Sequence, residues 1–238
     1  MARKKQTRGS CVFCGKEMTK GGLTRHLQSC AERQKKIETA DAGRGRKETI
    51  YHLQVQDAWD GDYWLQLEMR GVAELVDLDE YLRAIWLECC GHLSAFTIAP
   101  NQYTQIFEDS WLGSSDRSME VPVREVFAVG QEIPYEYDFG DTSHLVIKVI
   151  AAREGKALTR KPIFLMARNL APEFSCQECG QPAQWFCLEC VYEEEKPGLL
   201  CDRHADEHTH TDYGEPMPLV NSPRLGMCGY DGPAEPPY

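Results

Sequence analysis

Residues 51–69 read YHLQVQDAWDGDYWLQLEM, with apolar and polar positions alternating on either side of Asp60-Gly61. A period of two belongs to a strand with one face on a core, and Asp-Gly favours a tight turn, so the segment predicts an antiparallel hairpin. The next run, LVDLDEYLRAIWLECC, spaces Leu78, Leu82, Ile85 and Cys89 by four, three and four residues. That spacing gives one apolar helical stripe, with Asp77 as the expected N-cap and Gly91 as the expected stop. SAFTIA, QEIPYEYDF, HLVIKVIAA and IFLMARN predict further strands, the middle two joined at Gly140-Asp141. The predicted fold class is therefore α+β: a mostly antiparallel sheet with one main helix, flanked by two small modules.

The flanks are inferred from the cysteines. Of eleven, all but Cys89 and Cys90 lie before residue 31 or after residue 175. MARKKQTRGS lacks the apolar run of an export signal, and no stretch approaches the ~18–20 apolar residues of a membrane span. The chain is accordingly expected in the cytoplasm and off the membrane, where repeated C-x-x-C pairs signify metal more often than disulfide. The charged run ERQKKIETADAGRGRKE, with Gly43 and Gly45 between arginines, marks a first boundary, and Ala171-Pro172 marks a second. The expected organisation is a basic finger at 1–38, a linker at 39–47, an α+β domain at 48–171, and a two-zinc module with a C-terminal tail at 172–238.

CVFCGKEMTKGGLTRHLQSC sets Cys11 and Cys14 two residues apart, and His26 and Cys30 three apart after a gap of eleven. A C-x-x-C turn and an i, i+4 helical pair can close a tetrahedron around one ion, with Met18 and Leu23 as a small apolar core. The segment resembles the two-Cys, two-His finger family with the last His replaced by Cys. So short a segment needs metal to fold.

In the second module Cys176, Cys179, Cys187, Cys190, Cys201, His204, His208 and His210 supply eight ligands, enough for two ions. The order resembles the B-box class of cross-brace modules. That resemblance implies one site from Cys176, Cys179, Cys201 and His204, and another from Cys187, Cys190, His208 and His210. Spacing alone does not exclude the sequential wiring, four cysteines at one ion and Cys201 with three histidines at the other, and Asp212 or Cys228 is an alternative eighth ligand. His208 and His210 share a direction only on extended backbone, so no helix is expected there. The cofactor expected is zinc, three ions in all, with every position filled as in structural sites. Cys89 and Cys90 are read as buried residues closing the helix, and His52, His92 and His144 receive no firm role.

The net charge of −11 conceals a division, since residues 1–47 carry thirteen Lys/Arg against four Asp/Glu while the remainder carries thirteen against thirty-three. A basic head on an acidic body points to a polyanion at the head. Arg3, Lys4, Lys5, Arg8, Lys20, Arg25, Arg33, Lys35 and Lys36 are the candidate phosphate contacts. A protein partner is also expected at the C-terminal module.

YEYDFGDTSHLVIKVI places Tyr137-Asp138-Phe139-Gly140 at the turn between two predicted strands. On this segment residues 48–170 resemble the plasmid open-reading-frame-three-like family, some of whose members are described as TnpR-like passengers of insertion elements. The cysteine-flanked variant ending in NSPRLGMCGY is similar over the whole chain. Asp141-Thr142-Ser143-His144 omits a Trp that the commoner turn carries. The resemblance implies an α+β fold and association with mobile elements. The function expected is that of a zinc-binding accessory protein on nucleic acid, with a protein-interaction adaptor as the alternative. A hydrolase or nuclease using Asp138, Asp141 and His144 is a second alternative, disfavoured because no complete set of nucleophile, base and oxyanion donors is evident.

Overall fold

The computed structural model describes residues 6–105 and 116–237. Its first elements are a short hairpin, β1 (Arg8–Cys11) and β2 (Glu17–Thr19), followed by helices α1 (Lys20–Ser29) and α2 (Ala31–Ala42). The alternating segment forms β3 (Glu48–Asp57) and β4 (Trp64–Arg70), with Gly61 in the turn at a φ of 67° that favours glycine. Then come α3 (Leu75–Leu82) and a π-helical turn, Arg83–Leu87. The remaining strands of this part are β5 (Ser94–Ile98), β6 (Asn101–Thr104), β7 (Asp116–Ser118), β8 (Glu132–Tyr137), β9 (Ser143–Gly155) and β10 (Ile163–Asn169). The C-terminal part contains β11 (Trp185–Phe186), α4 (Leu188–Tyr192), β12 (Leu199–Leu200), α5 (Asp202–Asp206) and β13 (Met217–Pro218).

Ten strands form one sheet in the order β2-β1-β10-β4-β3-β9-β8-β5-β6-β7, antiparallel except for the β6–β7 pair. The fold is α+β, as the sequence predicts. The helix is longer at its start and shorter at its end than the apolar stripe indicates. Glu74 is the N-cap and Asp77 the third helical residue, whose carboxylate accepts from the Glu74 amide at 2.8 Å to form a capping box. The π-helical turn ends at Leu87, so Cys89 and Cys90 lie in a bend beyond the helix.

The two faces of the sheet explain why one main helix is too few. Leu53, Val55, Leu65, Leu67, Tyr135 and Ile147 point to one side, where they pack on Leu78, Leu82, Ile85 and Trp86. His52, Gln54, Gln66 and Glu68 point to the other and are also buried, because α1 and α2 cover them. Thr24 Oγ1 lies 2.9 Å from Gln54 Oε1 and accepts from Gln66 Nε2 at 2.9 Å. Leu23 and Leu27 pack with Trp64, Met166 and Ala167. The β1–β2 hairpin extends the sheet, with Gly9 opposite Asn169. A Cβ on Gly9 would stand 2.0 Å from Arg168 O and 2.4 Å from the Trp64 ring, so only glycine permits this approach. Among the described residues no helix is long and apolar enough to cross a membrane.

Candidate metal centres

Cys11 ends β1, Cys14 follows in a turn closed by Gly15 N donating to Cys11 O at 2.8 Å, His26 projects from α1, and Cys30 sits at the α1–α2 junction. Their donor atoms lie within 4.8 Å of one another, with Cys14 Sγ 3.2 Å from His26 Nε2. Burial pushes the Cys11 thiol up to about 11. A bound cation would offset that cost by favouring the thiolate.

The C-terminal donors gather in crossed pairs. Cys176, Cys179, Cys201 and His204 converge at one point. His204 Nδ1 lies 3.4 Å from Cys176 Sγ and 3.3 Å from Cys201 Sγ, and Cys179 and Cys201 sulfurs are 3.8 Å apart. Burial works to raise the Cys176 thiol, but the amides of Cys201, Glu178 and Cys179, with His204, outweigh it and bring it to about 6. Cys187, Cys190, His208 and His210 form the next set, with His208 Nε2 3.2 Å from Cys187 Sγ and His210 Nδ1 3.5 Å from Cys190 Sγ. Residues 208–210 lie outside any helix, as expected for two histidines serving one site. Neither alternative joins this set: Asp212 is not among its donors, and Cys228 lies with Cys90. Within each set, four cysteine and histidine donors at tetrahedral spacing fit a zinc ion.

A fourth set joins residues the sequence reading left apart. Cys89, Cys90, His92 and Cys228 bring three sulfurs and an imidazole within 4.8 Å of one another. Cys90 and Cys228 are exposed and Cys89 is half-buried, so these are not the buried residues expected. The hydrogen bonds from Cys228 and Cys89 push the Cys90 thiol up to about 12. The local signal was present as Cys89-Cys90-Gly91-His92, but its partner is 138 positions downstream of Cys90.

Around this set the tail folds back on the sheet. Arg224, fully buried, donates through Nη2 to Asp138 Oδ2 at 2.7 Å and to Cys89 Sγ at 3.3 Å. Through Nη1 it donates to Asp141 O and Ser143 Oγ, both at 3.0 Å. Asp138 is thus an anchor for the tail. His144 projects from the opposite side of β9 to Ser143, 3.3 Å from Glu136 Oε1 and edge-on to Trp59. Asp138, Asp141 and His144 do not share a site.

The basic residues divide as well. Arg8, Arg25, Lys35 and Lys36 are exposed. Arg33 is not: it is buried, donating to Leu27 O at 2.9 Å and to Glu68 Oε2 at 3.0 Å, which removes it from the phosphate contacts. Lys20 donates to Gly61 O at 3.1 Å, and burial lowers its pKa. Arg3, Lys4 and Lys5 lie outside the described residues.

No curated protein matches the chain. Among solved structures, it is similar to a protein of unknown function from Methanosarcina mazei Go1, with 17% identity, 56% of this chain and 76% of that one covered, and a TM-score of 0.43. The family model of the plasmid pRiA4b ORF-3-like proteins matches residues 31–196, from α2 into the cysteine-rich C-terminal part. That match spans more than half of the sequence, and the chain belongs to the plasmid pRiA4b ORF-3-like family.

Proposed function

We propose that this chain is a zinc-stabilised accessory protein, associated with a mobile element, that grips nucleic acid through its basic first 47 residues. Zinc at Cys11, Cys14, His26 and Cys30 holds the β1–β2 turn to α1, and two further ions hold the crossed C-terminal sets. All three are structural, because four protein donors fill each tetrahedron and leave no position for substrate. The observation that carries the reading is the charge division. Arg8, Lys16, Arg25, Lys35, Lys36, Arg44, Arg46 and Lys47 are exposed on a head of net +9, whereas the body carries −20. A phosphate backbone is attracted to the first and repelled by the second. Lys35 is paired with Glu32 at 2.8 Å, but both are exposed, and such pairs exchange partners at little cost.

The docking of α1 constrains the mode. Thr24 and Lys20, on the side of the helix facing β3 and β4, are bonded to Gln54 and Gly61. The helix therefore presents Arg25 and Gln28 beside the sheet, an arrangement suited to tracking phosphates without reading bases. The same docking favours the protein-interaction adaptor as the second reading, since a finger held on a sheet is itself a scaffold element.

Titration of the full chain with a fluorescent DNA duplex across salt concentrations separates the two. Each neutralised phosphate contributes about −0.9 to the log-log salt slope on duplex DNA. Arg25→Glu/Lys35→Glu/Lys36→Glu should weaken binding and reduce the slope magnitude by up to about 3. An absence of binding by the unmodified chain at low salt, to DNA and RNA alike, rejects the nucleic-acid reading in favour of the adaptor.

A further inference from the structure

We propose that Cys89, Cys90, His92 and Cys228 hold a fourth zinc ion, which fastens the C-terminal tail to the sheet. A zinc ion with bonds of about 2.3 Å to sulfur and about 2.0 Å to nitrogen sets neighbouring sulfurs about 3.8 Å apart, and sulfur and nitrogen about 3.5 Å apart. Here Cys89 and Cys90 sulfurs are 3.7 Å apart, Cys90 and Cys228 sulfurs 3.6 Å, and Cys228 Sγ lies 3.6 Å from His92 Nε2. The Cys90–His92 distance, 2.9 Å, is shorter and would open on binding. In the other three sets the corresponding distances run from 3.2 Å for Cys14–His26 to 3.8 Å for Cys179–Cys201.

Core packing does not account for the gathering. Buried cysteines meet because apolar side chains collapse together, but Cys90 and Cys228 are exposed. Cys228 also adopts a φ of 50°, a left-handed conformation that a non-glycine residue occupies at a cost. A disulfide between Cys90 and Cys228 would use two of the donors and leave Cys89 and His92 unexplained. One metal ion uses all four.

The donor chemistry selects the ion. Three sulfurs and one imidazole form a soft set that suits zinc over magnesium or calcium, and with four protein ligands the site is closed and structural. Three thiolates around a divalent cation leave a net charge of −1, which Arg224 offsets by donating to Cys89 Sγ. His92 Nε2 also faces Asp138 Oδ2 at 3.3 Å, a contact the ion would replace.

The consequence is mechanical. Cys89, Cys90 and His92 belong to the segment leaving the π-helical turn, and Cys228 belongs to the tail, so the ion closes a loop of more than 130 residues. Such a link between distant segments restrains the tail in the folded chain and limits the freedom of the unfolded one.

The test is zinc content of the full chain, purified under reducing conditions without chelator. The unmodified protein should contain one equivalent more than Cys90→Ser/Cys228→Ser, and His92→Cys, which preserves four soft donors, should keep the full content. Because the result is a difference between proteins sharing the other twelve donors, it stands apart from whether those donors hold metal. Circular dichroism establishes that the double variant remains folded, and alkylation of the unmodified chain should reach Cys90 and Cys228 only after zinc is withdrawn. Equal zinc content in the unmodified protein and the double variant overturns the proposal. So does peptide mapping that finds Cys90 and Cys228 joined by a disulfide in the zinc-loaded chain.

Discussion

His52 lies on the polar face of the sheet, 4% exposed, with Nε2 donating to Gln66 Oε1 at 2.6 Å and Nδ1 lacking a hydrogen-bond partner among the described residues. Burial, reinforced by the nearby Arg33 charge, lowers its pKa to about 4 and keeps it neutral. An unfolded histidine titrates near 6.5, so between these values the unfolded chain binds more protons and stability rises with pH. The contribution is complete above about pH 6.5 and is lost as the pH falls toward 4. Between pH 7 and 5 the unmodified protein should lose about 2 kcal/mol more unfolding free energy than His52→Gln, measured by urea denaturation. Equal losses would mean that His52 is protonated or solvated in the folded state. The cysteine and histidine sets are the same in both proteins and cancel from the comparison. Asp79 illustrates how partly such residues are visible beforehand. Arg83, four positions along the same helical run, donates to it at 2.7 Å and is apparent from the sequence. Ser94, Gln105 and Tyr135, its other donors, come from distant positions.

At the scale of elements, the N-terminal β1–β2–α1 segment and the sheet form a shared structure. Trp64 begins β4, is fully buried among Leu23, Leu27, Met166 and Ala167, and donates its indole N–H to Thr7 Oγ1 at 2.9 Å. Trp64→Ala should cost about 3–5 kcal/mol, as large aromatic deletions in cores do. With zinc bound as proposed, it should also speed zinc loss from the Cys11 set while sparing the C-terminal sets, which mass spectrometry of peptides after timed chelation and alkylation can distinguish. Loss of stability with unchanged zinc retention would show that the finger holds its metal without the sheet. The hairpin, its turn and six of the ten strands described in the main sheet were legible because alternation and Asp-Gly are local signals. The docked finger was not. His52, Gln54, Gln66 and Glu68 read as water-facing positions, since a period of two reports that the faces differ and not what covers the polar one. Arg33 likewise sits in a charged run whose mean polarity conceals its pairing with Glu68. The C-x-x-C sets were visible through short spacing, whereas the Cys89–Cys228 set depends on the path of the tail.

For the whole molecule, that tail is the element that returns the C-terminal end to the sheet. Asn221 Nδ2 donates to Asn169 O at 3.1 Å, Ser222 Oγ donates to Trp86 O at 2.7 Å, and Arg224 reaches Asp138. The Arg224 guanidinium also lies 4.8 Å from the centre of the Tyr137 ring, as does that of Arg83. Asp138 is 5% exposed and holds a φ of 66°, a conformation Asp tolerates better than most residues. Removing Arg224 alone leaves the Asp138 carboxylate buried with the Gly140 amide as its remaining hydrogen-bond donor among the described residues, and with His92 nearby. Arg224→Met should therefore cost about 3–5 kcal/mol, much of it the penalty of an uncompensated charge. Asp138→Asn removes that charge, so Arg224→Met/Asp138→Asn should be more stable than the sum of the single losses predicts, with a coupling of about 1–3 kcal/mol. Urea denaturation of the four proteins under zinc-saturated conditions measures this term, and limited proteolysis should cut the tail after residue 218 faster in Arg224→Met. Additive losses, with proteolysis unchanged, would show that the arginine packs against Tyr137 as a hydrocarbon and that its ion pair contributes nothing to holding the tail.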